Sequence, residues 1–145
     1  MKILVDADGC PVVGLTESLA REFGLDLLIF VDSSHVISSD YGEVFVVAKG
    51  KDAVDFELVK YVEPGDVVVT GDYGLASMVL AKNGRAIGNS GLVYTRENID
   101  DLLGVRHLNG KLRKMRVKTR KVKPRTKDLD ARFEIAFRGL MPERG

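Results

Sequence analysis

The chain has 145 residues, of which 45% are hydrophobic and 30% charged, with one cysteine, no tryptophan and a formal net charge of +1. This length suits one domain around one core. A lone cysteine excludes an internal disulfide, and apolar runs of about five residues fall far short of the ~20 that a membrane helix needs. The small net charge conceals an asymmetry. Residues 1–110 carry 9 Lys and Arg against 17 Asp and Glu, whereas residues 111–127, "KLRKMRVKTRKVKPRTK", carry ten basic residues and no acid. Residues 128–145 carry three basic and four acidic residues. An acidic body of residues 1–110 is thus joined to a dense basic segment, 111–127, and then to a closing stretch, 128–145. The cysteine usage and the missing apolar leader pattern lead to the expectation of a cytoplasmic protein with no membrane attachment.

In chain order, "KILVD" (2–6) reads as a strand. Residues 11–24 read as a helix with Pro11 in its first position and Val12, Leu15, Leu19 and Phe23 on one face. "LDLLIFVD" (25–32) and "EVFVVA" (43–48) are strands, and 52–62 is a helix with Asp52 as N-cap. "GDVVVTGD" (65–72) is a strand. Residues 73–84 form a helix with Leu75, Met78, Val79 and Lys82 on a stripe and Gly84 as its stop. Two short strands fall within 85–95, followed by a short helix capped by Thr95. Residues 128–141 read as an amphipathic helix, capped by Asp128, with Phe133, Ala136, Phe137 and Leu140 on one face. That face calls for a place on the body or on a second subunit. Alternation of apolar strands with helices argues for a mainly parallel sheet covered on both faces.

In open parallel sheets, ligands sit beyond the carboxyl ends of the strands. Asp6 ends the first strand, with Asp8 two residues on; Asp32 ends the second and Asp72 the "VVVTGD" strand. Asp55 has Leu58, Val59 and Val62 at +3, +4 and +7, which puts this acid on the inward face of the first helical turn. Acids gathered at one rim repel one another unless a cation lies between them. Donors that are all oxygen favour Mg²⁺ or Mn²⁺. Taken singly, each acid also fits a turn or a helix start, and Asp8-Gly9 is itself a turn signal.

"VDADGCPV", followed by "KGKDAVDFELVKYVEPGDVVVTGDYGLASMVLAKNG", resembles the YaiI/YqxD family of uncharacterised bacterial proteins. The likeness runs through "YTRENID" to "DLDARFEIAF". That family is grouped with PIN-like domains. The resemblance therefore implies a three-layer α/β sandwich with a mainly parallel central sheet flanked by helices. Characterised PIN-like relatives are metal-dependent ribonucleases with three or four clustered acids. Residue by residue, the resemblance carries the catalytic acids to Asp6, Asp55 and Asp72 and the Mg²⁺ or Mn²⁺ ligands to those three with Asp8. The chain departs from it at Gly74, where NYN-type relatives carry a further acid, and at "KVKPRTK", where the family has a glycine-rich stretch. "ILVDADGC" is also similar to the first motif of haloacid-dehalogenase-type phosphatases, in which the first Asp is the nucleophile and the second the acid/base.

The basic segment has the charge density to neutralise several phosphates. Lys114, Arg116, Lys118, Arg120 and Lys121 are its candidate substrate contacts, and with no interleaved aromatic they imply backbone-directed binding. His35 and Thr70 lie where they would touch a substrate at the rim. Cys10, without a neighbouring base, reads as a small packed residue. The expectation is a metal-dependent phosphodiester hydrolase, with RNA favoured as its nucleic-acid partner and homo-oligomer formation open. The alternatives are a non-catalytic nucleic-acid-binding or scaffold protein and, third, a phosphatase.

Overall fold

The computed structural model describes residues 1–50, 52–104 and 125–142. Among the described residues, six strands and five helices form an α/β arrangement. In chain order they are β1 (Lys2–Asp6), α1 (Val13–Phe23), β2 (Asp26–Asp32), β3 (Glu43–Val47), α2 (Ala53–Lys60) and β4 (Val67–Val69). Then come α3 (Tyr73–Ala81), β5 (Arg85–Ile87), β6 (Val93–Tyr94), α4 (96–104) and α5 (Lys127–Leu140). None of the described helices is long and apolar enough to cross a membrane.

The sheet runs β3-β2-β1-β4-β5-β6, parallel except for the last pair. Val5 lies level with Ile29 on one side and Val69 on the other. Side chains alternate across the sheet. Ile3, Val5, Ile29 and Val69 therefore face one way, packing with α1 and α5, while Leu4, Phe30 and Val68 face α2, α3 and α4. Two buried layers sandwich the sheet. Phe133 and Phe137 anchor α5 in the first layer, and Arg138 pairs with Glu22 of α1. The strand order reverses between β1 and β4, and a crevice opens at that point beyond the carboxyl ends.

Several helix ends differ from the sequence expectation. α1 starts at Val13, because the chain first turns through Gly9 (φ 67°) and the first helical bond, from Thr16 N, goes to Val12 O. The left-handed residue after α3 is Asn83 (φ 62°), not Gly84. Gly84 is there for close approach: a Cβ would lie 2.8 Å from Val79 Cγ1 and 3.0 Å from Val62 Cγ1. The residue at the N-cap of α5 is Thr126, so Asp128 sits in the first turn, beside the positive end of the helix. Thr95 does cap α4. Asn98 N donates to Thr95 Oγ1 (3.1 Å) and Thr95 N donates to Asn98 Oδ1 (2.8 Å), a reciprocal pair that satisfies two end groups.

Candidate functional site

The crevice at the strand reversal is a cavity of about 480 Å³. Six aspartates line it: Asp6, Asp8, Asp32, Asp52, Asp55 and Asp72. No Lys or Arg is among its described lining residues. Gly9, Gly50 and Gly71 let backbone form part of the wall, and a Cβ on Gly71 would come 3.3 Å from Asn89 Nδ2.

The acids fall into two sets. Asp6, Asp55 and Asp72 make the inner one. Asp6 ends β1, and its Oδ2 accepts from Thr70 Oγ1 at 2.8 Å. Thr70 is fully buried at the end of β4; its hydroxyl oxygen accepts from Asp72 N at 2.9 Å, and its carbonyl accepts from Tyr94 Oη at 3.2 Å. The threonine thus positions both acids, out of reach of a substrate. Asp72 caps α3, taking Gly74 N at 2.8 Å and Leu75 N at 3.2 Å on Oδ1. Asp55 lies half-buried in the first turn of α2, within electrostatic reach of Asp72. Burial, then the charges of Asp72, Asp6 and Asp52, push the Asp55 carboxyl up to about 7. Burial also raises Asp6 to about 6 against the lowering bond from Thr70, with Asp8 and Asp72 adding repulsion.

Asp8, Asp32 and His35 form the outer set. Asp8 accepts from Asp32 N through both oxygens (3.4 and 3.2 Å), and His35 Nδ1 lies 3.1 Å from Asp8 Oδ1 and 3.2 Å from Asp32 Oδ1. Ser34 bonds to Asp32 through hydroxyl and amide and holds its carboxyl below the usual carboxylate range. Among the described residues, these three bring potential ligand atoms within 4.8 Å of one another. Asp8, expected beside Asp6, interacts with it through charge while its own contacts tie it to Asp32 and His35.

A family model described as "Uncharacterized BCR, YaiI/YqxD family" matches residues 4–143. The chain belongs to the YaiI/YqxD family. Its relatives include a UPF0178 protein of Exiguobacterium sibiricum, 44% identical over 144 residues and covering 99% of both chains. Others are UPF0178 proteins of Alkaliphilus oremlandii (43% identical; 92% of this chain, 86% of the relative) and Natranaerobius thermophilus (41% identical; 99% and 95%). No solved structure matches the chain.

In this YaiI/YqxD family member, sequence reasoning missed the place of Asp52 and Asn89 in the cavity wall. Asp52 stands at the N-cap position of α2 but adopts a left-handed conformation (φ 59°), and its side chain makes no capping bond. It is exposed and lines the cavity instead. Asp tolerates this backbone better than most residues. The Asp-x-x-Asp spacing of residues 52 and 55 was the available signal. Asn89 leaves β5 beside Cys10, whose Sγ lies 3.6 Å from Asn89 Oδ1 and whose thiol burial pushes up. Arg125 donates to Asn89 O at 2.6 Å and pairs with Asp130. Lys114, Arg116, Lys118, Arg120 and Lys121 lie outside the described residues.

Proposed function

We propose that the cleft hydrolyses phosphodiester bonds in nucleic acid, RNA favoured, with Mg²⁺ or Mn²⁺. What carries this reading is the inner set, in which three separate elements bring Asp6, Asp55 and Asp72 to the wall of one cavity, near enough to act on one another through charge. The donors suit a hard divalent cation: all are carboxylate oxygens, and their charges act against one another where no cation lies between them. Asp6, Asp55 and Asp72 would hold the ion, with Asp8 turned toward Asp32 and His35 and acting on Asp6 through its charge. When bound, such an ion supplies positive charge for the phosphodiester transition state and lowers the pKa of a water.

The chain's own residues do the rest. Thr70 fixes the rotamer of Asp6, and the α3 amides fix Asp72, so little reorganisation is needed on loading. The glycines leave room for a backbone phosphate. The acidic wall repels a polyanion, so the positive charge for binding must come from the ion and from the basic segment, whose residue Arg125 is anchored on the cavity-lining Asn89.

Incubation with single-stranded RNA and Mn²⁺ tests the proposal. Hydrolysis is expected to stop in EDTA and to fall at least about a hundredfold in Asp6→Asn and Asp72→Asn. Cleavage that persists in EDTA or in these variants overturns it. A second reading, a binding protein without turnover, draws on Gly74 standing where NYN-type relatives carry a further acid. Salt-sensitive RNA binding without cleavage would favour it. A covalent phosphoryl mark on Asp6 would instead favour a phosphatase.

A further inference from the structure

The outer set is more than a continuation of the acid cluster, because its donors differ in kind. It offers a carboxylate from the loop after β1, a carboxylate from the last residue of β2 and an imidazole from the loop that follows. We propose that Asp8, Asp32 and His35 form a second cation site, for a borderline transition-metal ion such as Zn²⁺ or Co²⁺, at the mouth of the cleft. It does not depend on the inner acids holding a cation.

Three observations carry the site. The first is spacing. Donor atoms about 2.0–2.2 Å from one ion stand roughly 3.0–3.5 Å apart in octahedral or tetrahedral sites. His35 Nδ1 is 3.1 Å from Asp8 Oδ1 and 3.2 Å from Asp32 Oδ1, and the three ligand atoms lie within 4.8 Å of one another. The second is support. Asp32 N donates to Asp8 and Ser34 donates to Asp32, so neighbouring groups already orient both carboxylates. The third is access. His35 is exposed and both acids line the open cavity, leaving room for water or a substrate oxygen in the remaining coordination positions. Imidazole with carboxylates favours Zn²⁺, Co²⁺ or Ni²⁺ over Mg²⁺. The two sets thus differ in the ion they select.

Co²⁺ tests this in the full chain, by calorimetry and by paramagnetic shifts of the imidazole protons. The wild type and Asp55→Asn are both expected to show one shifted imidazole. In His35→Ala that signal is lost, and affinity for this ion falls about tenfold or more. Asp32→Asn is expected to weaken the same ion, with the melting curve in EDTA confirming that each variant is folded. Unshifted imidazole signals in the wild type, or equal Co²⁺ affinity in wild type and His35→Ala, overturn the site. So does loss of all Co²⁺ uptake in Asp55→Asn. If RNA hydrolysis is absent while the shifted imidazole is seen, the nuclease reading fails and this site stands.

Discussion

The two ends of the sheet treat buried acids in opposite ways. At the amino end, Asp66 is 3% exposed, yet its carboxyl is held below the usual range. Burial alone would raise it, but Lys2 Nζ lies 2.6 Å away, and the amides of Lys2 (3.0 Å) and Glu63 (2.9 Å) also donate to it. At the carboxyl end, Asp6 and Asp55 are raised to about 6 and about 7, first by burial and then, among the described residues, by the charges of other aspartates. The same side chain is shifted in opposite directions, and at Asp66 the Lys2 ammonium and two amides overcome the effect of burial. An acid that serves the fold comes with its own cation. Among the described residues, Asp6 and Asp55 have no Lys or Arg in that place, and the neighbouring aspartates add to the effect of burial.

The comparison is broken most directly at Asp66. Asp66→Ala leaves a mostly buried Lys2 ammonium and two amides without their acceptor. It is expected to destabilise the protein by about 3 kcal/mol in urea unfolding. Asp55→Asn, by contrast, removes repulsion and should leave the EDTA-treated protein at least as stable as wild type. A large loss in Asp55→Asn would mean that the two ends are alike. Next in size is the response to cation. At free Mn²⁺ a hundredfold above the dissociation constant, wild type should gain about 2.7 kcal/mol, and Asp6→Asn and Asp72→Asn much less. Equal gains in all three would move the ion away from the inner set.

A smaller effect sharpens the electrostatic half. In the unfolded chain these carboxyls titrate near 3.8; in the native cleft Asp6 and Asp55 keep their protons up to about 6 and about 7. Between those values the native state binds more protons than the unfolded one, so stability falls as pH rises. The stabilising contribution is full below pH 3.8 and gone once pH passes about 7. In EDTA, the melting temperature of wild type relative to Asp55→Asn should therefore drop between pH 4.5 and 7.5. Mn²⁺ should reverse that trend, because it competes with the same protons. A pH-independent difference would show that Asp55 carries no raised pKa.

How much of this was legible in the sequence follows from what each feature depends on. The order of strands and helices was legible, because β-branched runs and 3.6-residue periods are local. So was the rim of acids, because a strand's carboxyl end fixes where its last residue lies. Asp55 was legible through its +3, +4 and +7 neighbours. The division into two sets was not: it depends on Asp8 turning toward a backbone amide 24 residues away. Neither was Asp52, whose left-handed backbone removes it from the capping role that its position suggests. Thr70 read as a rim residue because its spacing cannot show that its hydroxyl is consumed by Asp6 and Asp72.

Thr70 also supplies the finest test of the comparison. At the amino end, Asp66 is held ionised by a full positive charge; at the carboxyl end, the lowering contact on Asp6 is a neutral hydroxyl. Thr70→Val keeps shape and burial but removes that contact, and it leaves Asp72 N without its acceptor. Unfolding in EDTA should show a loss of about 1 kcal/mol, the cost of one unpaired buried group. Asp6 should then titrate higher than about 6, so Mn²⁺ binding should weaken more at pH 6 than at pH 8. Thr70→Ser, which restores the hydroxyl, should recover most of both effects. If the serine variant recovers stability but not the pH-dependent Mn²⁺ affinity, Thr70 is only a packing residue, and Asp6 is not held ready for a cation.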